Sequence, residues 1–408
     1  MSEEITEILN NLTSIDAAKR VKAAKLLGAI SDRRATSELM KTLKDNPDVA
    51  TRIACAEALG KVGDREATEL LIETFKSDPD KKVKVAMLIA MGELGDDLAF
   101  ETLMTAMREE KTVNIREAAT EALGKLNNKS ASDELQKIVR SESNSKIVVA
   151  AIKSLYLLGE RKASNLFIEM LNDSEDVAIR TESASGLGRI GGRGAIQPLV
   201  TAFNKEASDI VRESIVISLG RIANTTSVDI LATALKKDPS PIVRKSAAWA
   251  LRRIRDSRIS AALMFQLDNE SFEAVKQEII TSLGKHKERK AVNAIIEALQ
   301  NSTDEQVRRS AAIALGDIND KKAAEPLLQQ LEVDKSAEVR KYCAWALSKL
   351  KSINSKELLE ELLNKEKDED VKEMIQSAIN AIEEAISQAE DEARKAEERA
   401  RKEEYYYF

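Results

Sequence analysis

Histidine and cysteine, the side chains that most often carry catalysis or bind metals, are scarce in this sequence. The 408 residues include one histidine, His286, and two cysteines, Cys55 and Cys343. A single histidine excludes an HExxH zinc motif or a site with several histidine ligands. Two cysteines exclude a disulfide scaffold and a four-cysteine metal site. No phosphate-binding loop or nucleophile elbow is present either. We therefore expect no enzymatic activity, no metal and no cofactor.

Apolar and basic side chains that could bind another polypeptide recur on a regular spacing. Both tryptophans, Trp249 and Trp345, fall on it, and each is followed four residues later by a cation, Arg253 or Lys349. Such a mixture suits an acidic segment with aromatic or aliphatic anchors. The candidate binding residues within the repeats are Ile217, Arg221, Trp249, Arg253, Lys285, Ile313, Tyr342, Trp345 and Lys349.

These residues belong to an internal repeat with a constant period. The phrase VRRSAAIALGDIND, which begins at residue 307, has counterparts at 115 and 243. We call the residue after its "AL" dipeptide the reference position. This position recurs at Gly28, Gly60, Gly92, Gly124, Tyr156, Gly188, Gly220, Arg252, Gly284, Gly316, Ser348 and Asn380. The constant step predicts twelve repeats without insertion or deletion.

Each repeat carries the patterns of two helices. The first has apolar residues at i, i+4 and i+8, as in Ala323, Leu327 and Leu331, and a polar turn follows it. The second carries the VRxxAAxALGxI phrase, whose apolar positions form one buried face. The positions seven before, three before and one after the reference point away from that face. These three positions predict one exposed stripe on each second helix. The candidate residues that lie three before or one after a reference position, which are all of them except Tyr342, belong to this stripe.

Two polar columns accompany the apolar ones. The residue eight before the reference is basic in eleven of the twelve repeats, and the residue four after it is mostly acidic or amide. We expect Arg116, Arg212 and Arg308 of the basic column to bond the inter-helix turn of an adjacent repeat. The second column suits helix N-caps, because its side-chain oxygens can accept hydrogen bonds from backbone N–H groups.

The VRxxAAxALGxI phrase, with its basic and acidic columns, resembles the HEAT-like repeat of the phycobilisome-lyase type over nearly the whole chain. The resemblance implies an all-α fold, a right-handed α-solenoid of about twelve two-helix repeats whose second helices line a concave groove. It also implies that the basic and acidic columns tie neighbouring repeats together. Such repeats serve scaffolds, adaptors, chromophore lyases, an iron-dependent hydroxylase and DNA glycosylases. The hydroxylase uses His-Glu pairs, and the single histidine excludes that activity.

The C-terminal end departs from the repeat pattern. We expect a solenoid over residues 1–384 and a charged helical tail over 385–408 that ends in Tyr405, Tyr406, Tyr407 and Phe408. Residues 365–408 hold 14 acids and 8 bases. The acidic, aromatic tail complements the basic, apolar groove. We interpret it as a ligand for such a groove in the same chain, in a second copy or in another protein, with an unselected end as the alternative.

The leading functional hypothesis is a non-enzymatic scaffold or adaptor that binds a protein partner in its groove. The alternatives are an accessory subunit of an enzyme or chromophore lyase, and a nucleic-acid-binding protein. Residues 1–364 contain 55 bases and 55 acids, and this balance weighs against nucleic acid. The sequence shows no signal-peptide pattern and no apolar run approaching the roughly 18 residues of a membrane span. We therefore expect a soluble, cytoplasmic protein.

Overall fold

The computed structural model describes residues 3–406, and their side chains over 5–399. Every regular element within 3–406 is helical, which confirms the all-α prediction. No helix in this range combines the length and the apolar character that crossing a bilayer requires.

The helices form twelve pairs at the predicted constant period. The first helices are α1 (Glu3–Asn11), α3 (Thr36–Asp45), α5 (Thr68–Ser77), α7 (Phe100–Glu109), α9 (Ser132–Ser141), α11 (Ser164–Asp173), α13 (Ile196–Phe203), α15 (Val228–Lys237), α17 (Arg258–Asn269), α19 (Val292–Asn301), α21 (Ala324–Val333) and α23 (Lys356–Lys365). The second helices are α2 (Ala17–Ile30), α4 (Val49–Val62), α6 (Lys81–Leu94), α8 (Val113–Leu126), α10 (Ser145–Leu157), α12 (Val177–Ile190), α14 (Asp209–Ile222), α16 (Pro241–Arg252), α18 (Glu273–Lys285), α20 (Glu305–Ile318), α22 (Ala337–Leu350) and α24 (Glu369–Tyr406).

The chain divides into two compact units, Met1–Ser218 and Leu219–Phe408, which we call the N-terminal and C-terminal units. The boundary falls inside α14. In the C-terminal unit the last helix, α24, is 38 residues long and passes without a break from the twelfth repeat into the tail. Its last fully buried side chain is Ile382, and the side chains of residues 387–399 are exposed.

Short 3-10 turns connect one repeat to the next. They span Arg33–Ala35, Arg65–Ala67, Asp97–Ala99, Lys129–Ala131, Arg161–Ala163, Gly192–Ala195, Thr225–Ser227, Arg289–Ala291, Lys321–Ala323 and Ile353–Ser355. Side chains of the acidic column cap most of them: Asp96 accepts from the Leu98 N–H, and Asp320 from the Lys322 N–H. The N-cap prediction for this column is confirmed. The capping satisfies N–H groups that a helix start leaves without partners.

Consecutive second helices pack closely because small residues face each other. A Cβ added to Gly92 at the reference position of α6 would lie 2.8 Å from the Cα of Ala122 on α8, and one on Gly284 would lie 2.8 Å from the Cα of Ala314. Where the facing residue is serine, it makes a buried hydrogen bond: the Ser154 hydroxyl donates to the Thr120 carbonyl at 2.7 Å. The reference glycines therefore set the distance between repeats.

In most repeats the basic column joins one repeat to the turn of the following one. Arg308 donates to Asp334, and Arg52 donates in the same way to Asp78 at 2.8 Å. Other residues of the basic column form ion pairs with the same separation along the chain: Lys84–Glu110, Arg116–Glu142, Arg180–Glu206, Arg244–Glu270 and Arg340–Glu366. The prediction is thus confirmed for Arg116 and Arg308. Arg212 donates to the carbonyls of Glu206 and Ala207 in the turn of its own repeat, and its bond to an adjacent repeat stays a prediction.

Candidate protein-binding surface

Both tryptophans of the chain lie over glycines of the preceding second helix. In the C-terminal unit, a Cβ on Gly316 of α20 would be 2.6 Å from Cζ3 of Trp345 on α22. The same construction at Gly220 places a Cβ 3.0 Å from Cζ3 of Trp249 on α16. Each indole thus fills the space that the absent glycine side chain leaves, and each is half-buried. The sequence placed the tryptophans on an exposed stripe but did not reveal this contact.

A cation lies against each tryptophan ring. The Arg253 guanidinium is 5.2 Å from the centroid of the Trp249 ring, and its Nε donates to the Gly220 carbonyl at 3.1 Å. The Lys349 ammonium is 5.5 Å from the centroid of the Trp345 ring. Cations over an aromatic face are stabilised by the ring quadrupole. We call Trp249, Arg253, Trp345 and Lys349 the tryptophan surface.

The remaining candidates differ in charge balance and exposure. Lys285 is exposed but forms an ion pair with Asp317 at 2.9 Å, which neutralises its charge. Tyr342 is half-buried beneath the Arg309 guanidinium, 5.7 Å from its ring centroid. Ile313 is half-buried and Arg221 is exposed, both in the C-terminal unit, whereas Ile217 belongs to the N-terminal unit. Lys349 forms no ion pair with a described side chain. The predicted basic residues are therefore only partly available to a partner.

Two glutamates bond the large polar residues that stand at the reference position in place of glycine. Neither was predicted from the sequence. The Tyr156 hydroxyl donates to Glu182 at 2.8 Å, and Arg252 forms an ion pair with Glu278 at 3.1 Å. Burial raises the pKa of Glu278, although the charges of Arg252 and Lys245 oppose that rise. The sequence contains a signal for both contacts, because Glu182 follows Tyr156 at the same distance along the chain as Glu278 follows Arg252.

The side chains with catalytic potential are dispersed. Among the described residues, no group of three or more His, Cys, Asp or Glu side chains could hold a metal ion. Cys55 and Cys343 are free and buried, and burial raises the pKa of both thiols, that of Cys55 to about 12. They are small core residues. His286 caps the end of α18, half-buried, with Nε2 3.3 Å from the Leu251 carbonyl.

The aromatic end of the chain, Tyr405, Tyr406, Tyr407 and Phe408, lies outside the residues whose side chains the structure describes. Its predicted role as a ligand remains a prediction. The helix that leads to it is described, and its exposed side chains between 387 and 399 are mostly charged or small.

Comparison with known proteins identifies the repeat. A family model for HEAT repeats matches residues 5–84, 68–155, 134–220, 202–283, 260–341 and 292–380, which together cover most of the chain. No curated protein sequence matches the chain.

Two solved structures show the same fold, and a third is reported for its sequence similarity alone. A chain in a structure of Kap95p bound to RanGDP is 15% identical, with a TM-score of 0.64 over 94% of this chain and 61% of that one. Importin beta is 16% identical, with a TM-score of 0.63 over 93% of this chain and 61% of that one. This chain therefore spans less than two thirds of either relative. The CpcE–CpcF phycocyanin lyase of Nostoc sp. PCC7120 is 22% identical over 60% of this chain and 93% of that one, at a TM-score of 0.40.

Proposed function

This chain belongs to the HEAT repeat family, and from that premise we propose that it is a non-enzymatic scaffold that binds another polypeptide. A stack of helix pairs exposes one side chain after another at a fixed spacing, which suits an extended partner. The connections between the helices of residues 3–406 are short and offer no long irregular loop on which an active site could be built. Both properties favour binding over catalysis.

The partner that fits best is an acidic segment with aromatic or aliphatic anchors, bound on the second helices of the C-terminal unit. The observation that carries this proposal is the pairing of Trp249 with Arg253 and of Trp345 with Lys349. An indole that is half-buried is rigid, since the helix beneath it holds one side of the ring. Its accessible side can contact an apolar anchor, while the neighbouring cation attracts a carboxylate.

We also propose that copies of the chain associate through the C-terminal tail, which would bind a basic and apolar surface of a second copy. The tail supplies acids and four aromatic residues, the two properties expected of a partner segment. A second copy of the chain therefore carries a ligand of suitable chemistry.

Fluorescence anisotropy tests the tryptophan surface. The probe is a labelled peptide of Glu, Asp and Phe, compared with a peptide in which Lys replaces every acid. We expect the acidic peptide alone to bind, with affinity that falls as salt rises. The double variant Trp249→Ala/Trp345→Ala should weaken binding at least about tenfold, which corresponds to about 1.4 kcal/mol.

The control is Phe265→Ala, which removes an exposed aromatic side chain of α17 in the same unit. It should leave binding unchanged. Equal binding of the acidic and basic peptides, or unchanged binding by a folded double variant, would contradict the proposal.

A further inference from the structure

One face of the second helices is buried in every repeat but the first. The position two residues before the reference is buried in each of the eleven later repeats, because the preceding second helix covers it. Ala58 and Ala346 are examples. In α2 the same position is Leu26, which is 40% exposed. At the position two after the reference, Ile30 is 43% exposed, whereas the residues of the later repeats are buried, except for the half-buried Ile222 and His286. We call Leu26 and Ile30 the open face of α2.

The open face has the residues of a helix-binding surface. Leu26 is larger than the Ala, Ser or Gly that the other repeats carry at this position, so it projects further. A cavity of about 500 Å³ lies beside it, lined by Ala17, Ala18, Val21, Lys22, Lys25, Leu26 and Ala50. Five apolar residues and two lysines therefore line it.

The charge of α2 is entirely positive. The helix carries Lys19, Arg20, Lys22 and Lys25 and no acidic residue. The three lysines are exposed, and none forms an ion pair with a described side chain. An occupant of the open face should therefore be an acidic helix with an apolar or small-residue side.

The chain contains such a helix at its other end. We call residues 383–408 the C-terminal arm. Its described part, 383–399, holds seven acids and three bases. Ala385, Ala389, Ala393 and Ala396 follow each other at helical spacing and form one line along α24. Small side chains let another helix approach closely, as Gly92 and Ala122 do inside the array. The arm ends in four aromatic residues, which could supply apolar anchors to this surface.

We propose that the open face of α2 binds the C-terminal arm of a second copy of this chain, so that copies associate head to tail. This inference rests on the self-association proposed for the tail, but it does not depend on the tryptophan surface. The α2 lysines suit the arm because none of the three is paired with a described side chain, whereas Lys285 of the groove already forms an ion pair with Asp317. Because the two contacting surfaces differ, a pair of copies still has one free open face and one free arm. Further copies can bind at both ends.

Sedimentation velocity of the full chain over a micromolar concentration series tests this contact. We expect the mass to rise with concentration and to fall with added salt. Leu26→Glu should abolish the association, since it places an acid against the arm. Ala389→Lys/Ala393→Lys should do the same, since it adds bulk and opposite charge to the alanine line. The control Leu98→Glu changes an exposed leucine elsewhere in the N-terminal unit and should have no effect.

Mixing the two defective chains provides the sharper test. The Leu26→Glu chain keeps a normal arm, and the Ala389→Lys/Ala393→Lys chain keeps a normal open face. Each should be monomeric alone, and the mixture should give one heterodimer and nothing larger. Circular dichroism establishes that both variants are folded.

Three results would overturn the inference. The wild-type chain could stay monomeric at all concentrations, or Leu26→Glu could leave the association intact. In the third, Leu26→Glu abolishes the association but the arm variant Ala389→Lys/Ala393→Lys does not. The last result would mean that two open faces meet. The Leu26→Glu chain should still bind the acidic peptide on the tryptophan surface. This measurement distinguishes a failure of the proposed arm contact from a failure of the proposed function.

Discussion

Arg308 and Asp334 connect the tenth and eleventh repeats through a buried ion pair with two hydrogen bonds. Nε of Arg308 lies 2.7 Å from Oδ2 of Asp334, and Nη2 lies 3.0 Å from Oδ1. The remaining nitrogen, Nη1, donates to the carbonyls of Ser302 and Thr303. One planar guanidinium therefore ties the turn of its own repeat to the next turn, which a lysine could not do with the same geometry.

Arg308→Ala should lower stability much more than Arg309→Ala. Removing Arg308 leaves the Asp334 carboxylate buried without its counter-ion, a change that costs about 3–5 kcal/mol. Arg309 is half-buried and contacts the Tyr342 ring, so its loss should cost about 1 kcal/mol. Urea unfolding followed by circular dichroism measures both. Equal losses would contradict the structural role of the basic column.

The sequence predicted the fold because a constant step without gaps fixes the helix pairs, and it predicted that Arg308 bonds a turn. It did not predict the partner. Asp334 lies far along the chain on a different repeat, and this pairing depends on how the repeats stack. A signal was nevertheless present. Val148 is the one uncharged residue of the basic column. Ser174 follows it at the distance at which Asp334 follows Arg308, so no acid stands where no cation needs one.

The candidate site was predictable only in part. The helical period places Trp345 on the side opposite the core, and the structure confirms that it is not a core residue. Its half-burial follows from Gly316, a residue of another repeat whose missing side chain admits the indole. Likewise, the exposure of Leu26 reflects the absence of a covering helix in the described chain, which no local pattern encodes.

Replacing Gly92 with alanine should destabilise the N-terminal unit. Alanine is favoured over glycine inside a helix by about 1 kcal/mol. The new methyl group, however, would meet the Ala122 backbone at 2.8 Å, so α6 and α8 must separate. Overpacking of this kind costs about 1–3 kcal/mol, and we expect a net loss.

The matched control for Gly92 is Gly194→Ala. Gly194 has ordinary backbone angles, and a Cβ there would meet nothing within 4 Å. This substitution should be neutral or raise stability by up to about 1 kcal/mol. Thermal unfolding distinguishes the two variants. A stability gain from Gly92→Ala would show that the second helices are packed less tightly than described.

Gly316 and Trp345 should be energetically coupled. Gly316→Ala places a methyl group 2.6 Å from Cζ3 of Trp345, so it should destabilise the wild-type chain more than it destabilises a Trp345→Ala chain. The coupling in a double-mutant cycle between contacting residues is about 0.5–3 kcal/mol. Trp345→Ala alone should cost less than the about 3–5 kcal/mol of a fully buried aromatic, because the ring is half-exposed. Additive costs in urea unfolding would contradict the contact.

Glu270 and Glu278 both belong to the ninth repeat, but their replacement by glutamine should change the melting temperature differently. We expect a lower melting temperature at pH 7 for Glu270→Gln and an equal or higher one for Glu278→Gln. Burial alone would raise the pKa of Glu270, but hydrogen bonds from Arg244, the Phe272 N–H and Gln266 outweigh it and lower that pKa from 4.5 to about 2. Since the folded pKa lies below the unfolded one, ionised Glu270 stabilises the fold above about pH 4.5. That contribution is lost as the pH falls towards 2.

Glu270→Gln should therefore lower the melting temperature at pH 7, with a loss of about 1.5–3 kcal/mol for a hydrogen bond to a charged group. The difference from wild type should shrink between about pH 4.5 and pH 2. Burial raises the pKa of Glu278, so its ionised form opposes folding at neutral pH and protonation relieves that cost. Glu278→Gln should keep or raise the melting temperature at pH 7. Differential scanning calorimetry across this pH range measures both variants, and a larger loss from Glu278→Gln than from Glu270→Gln would show that the two environments are assigned the wrong way round.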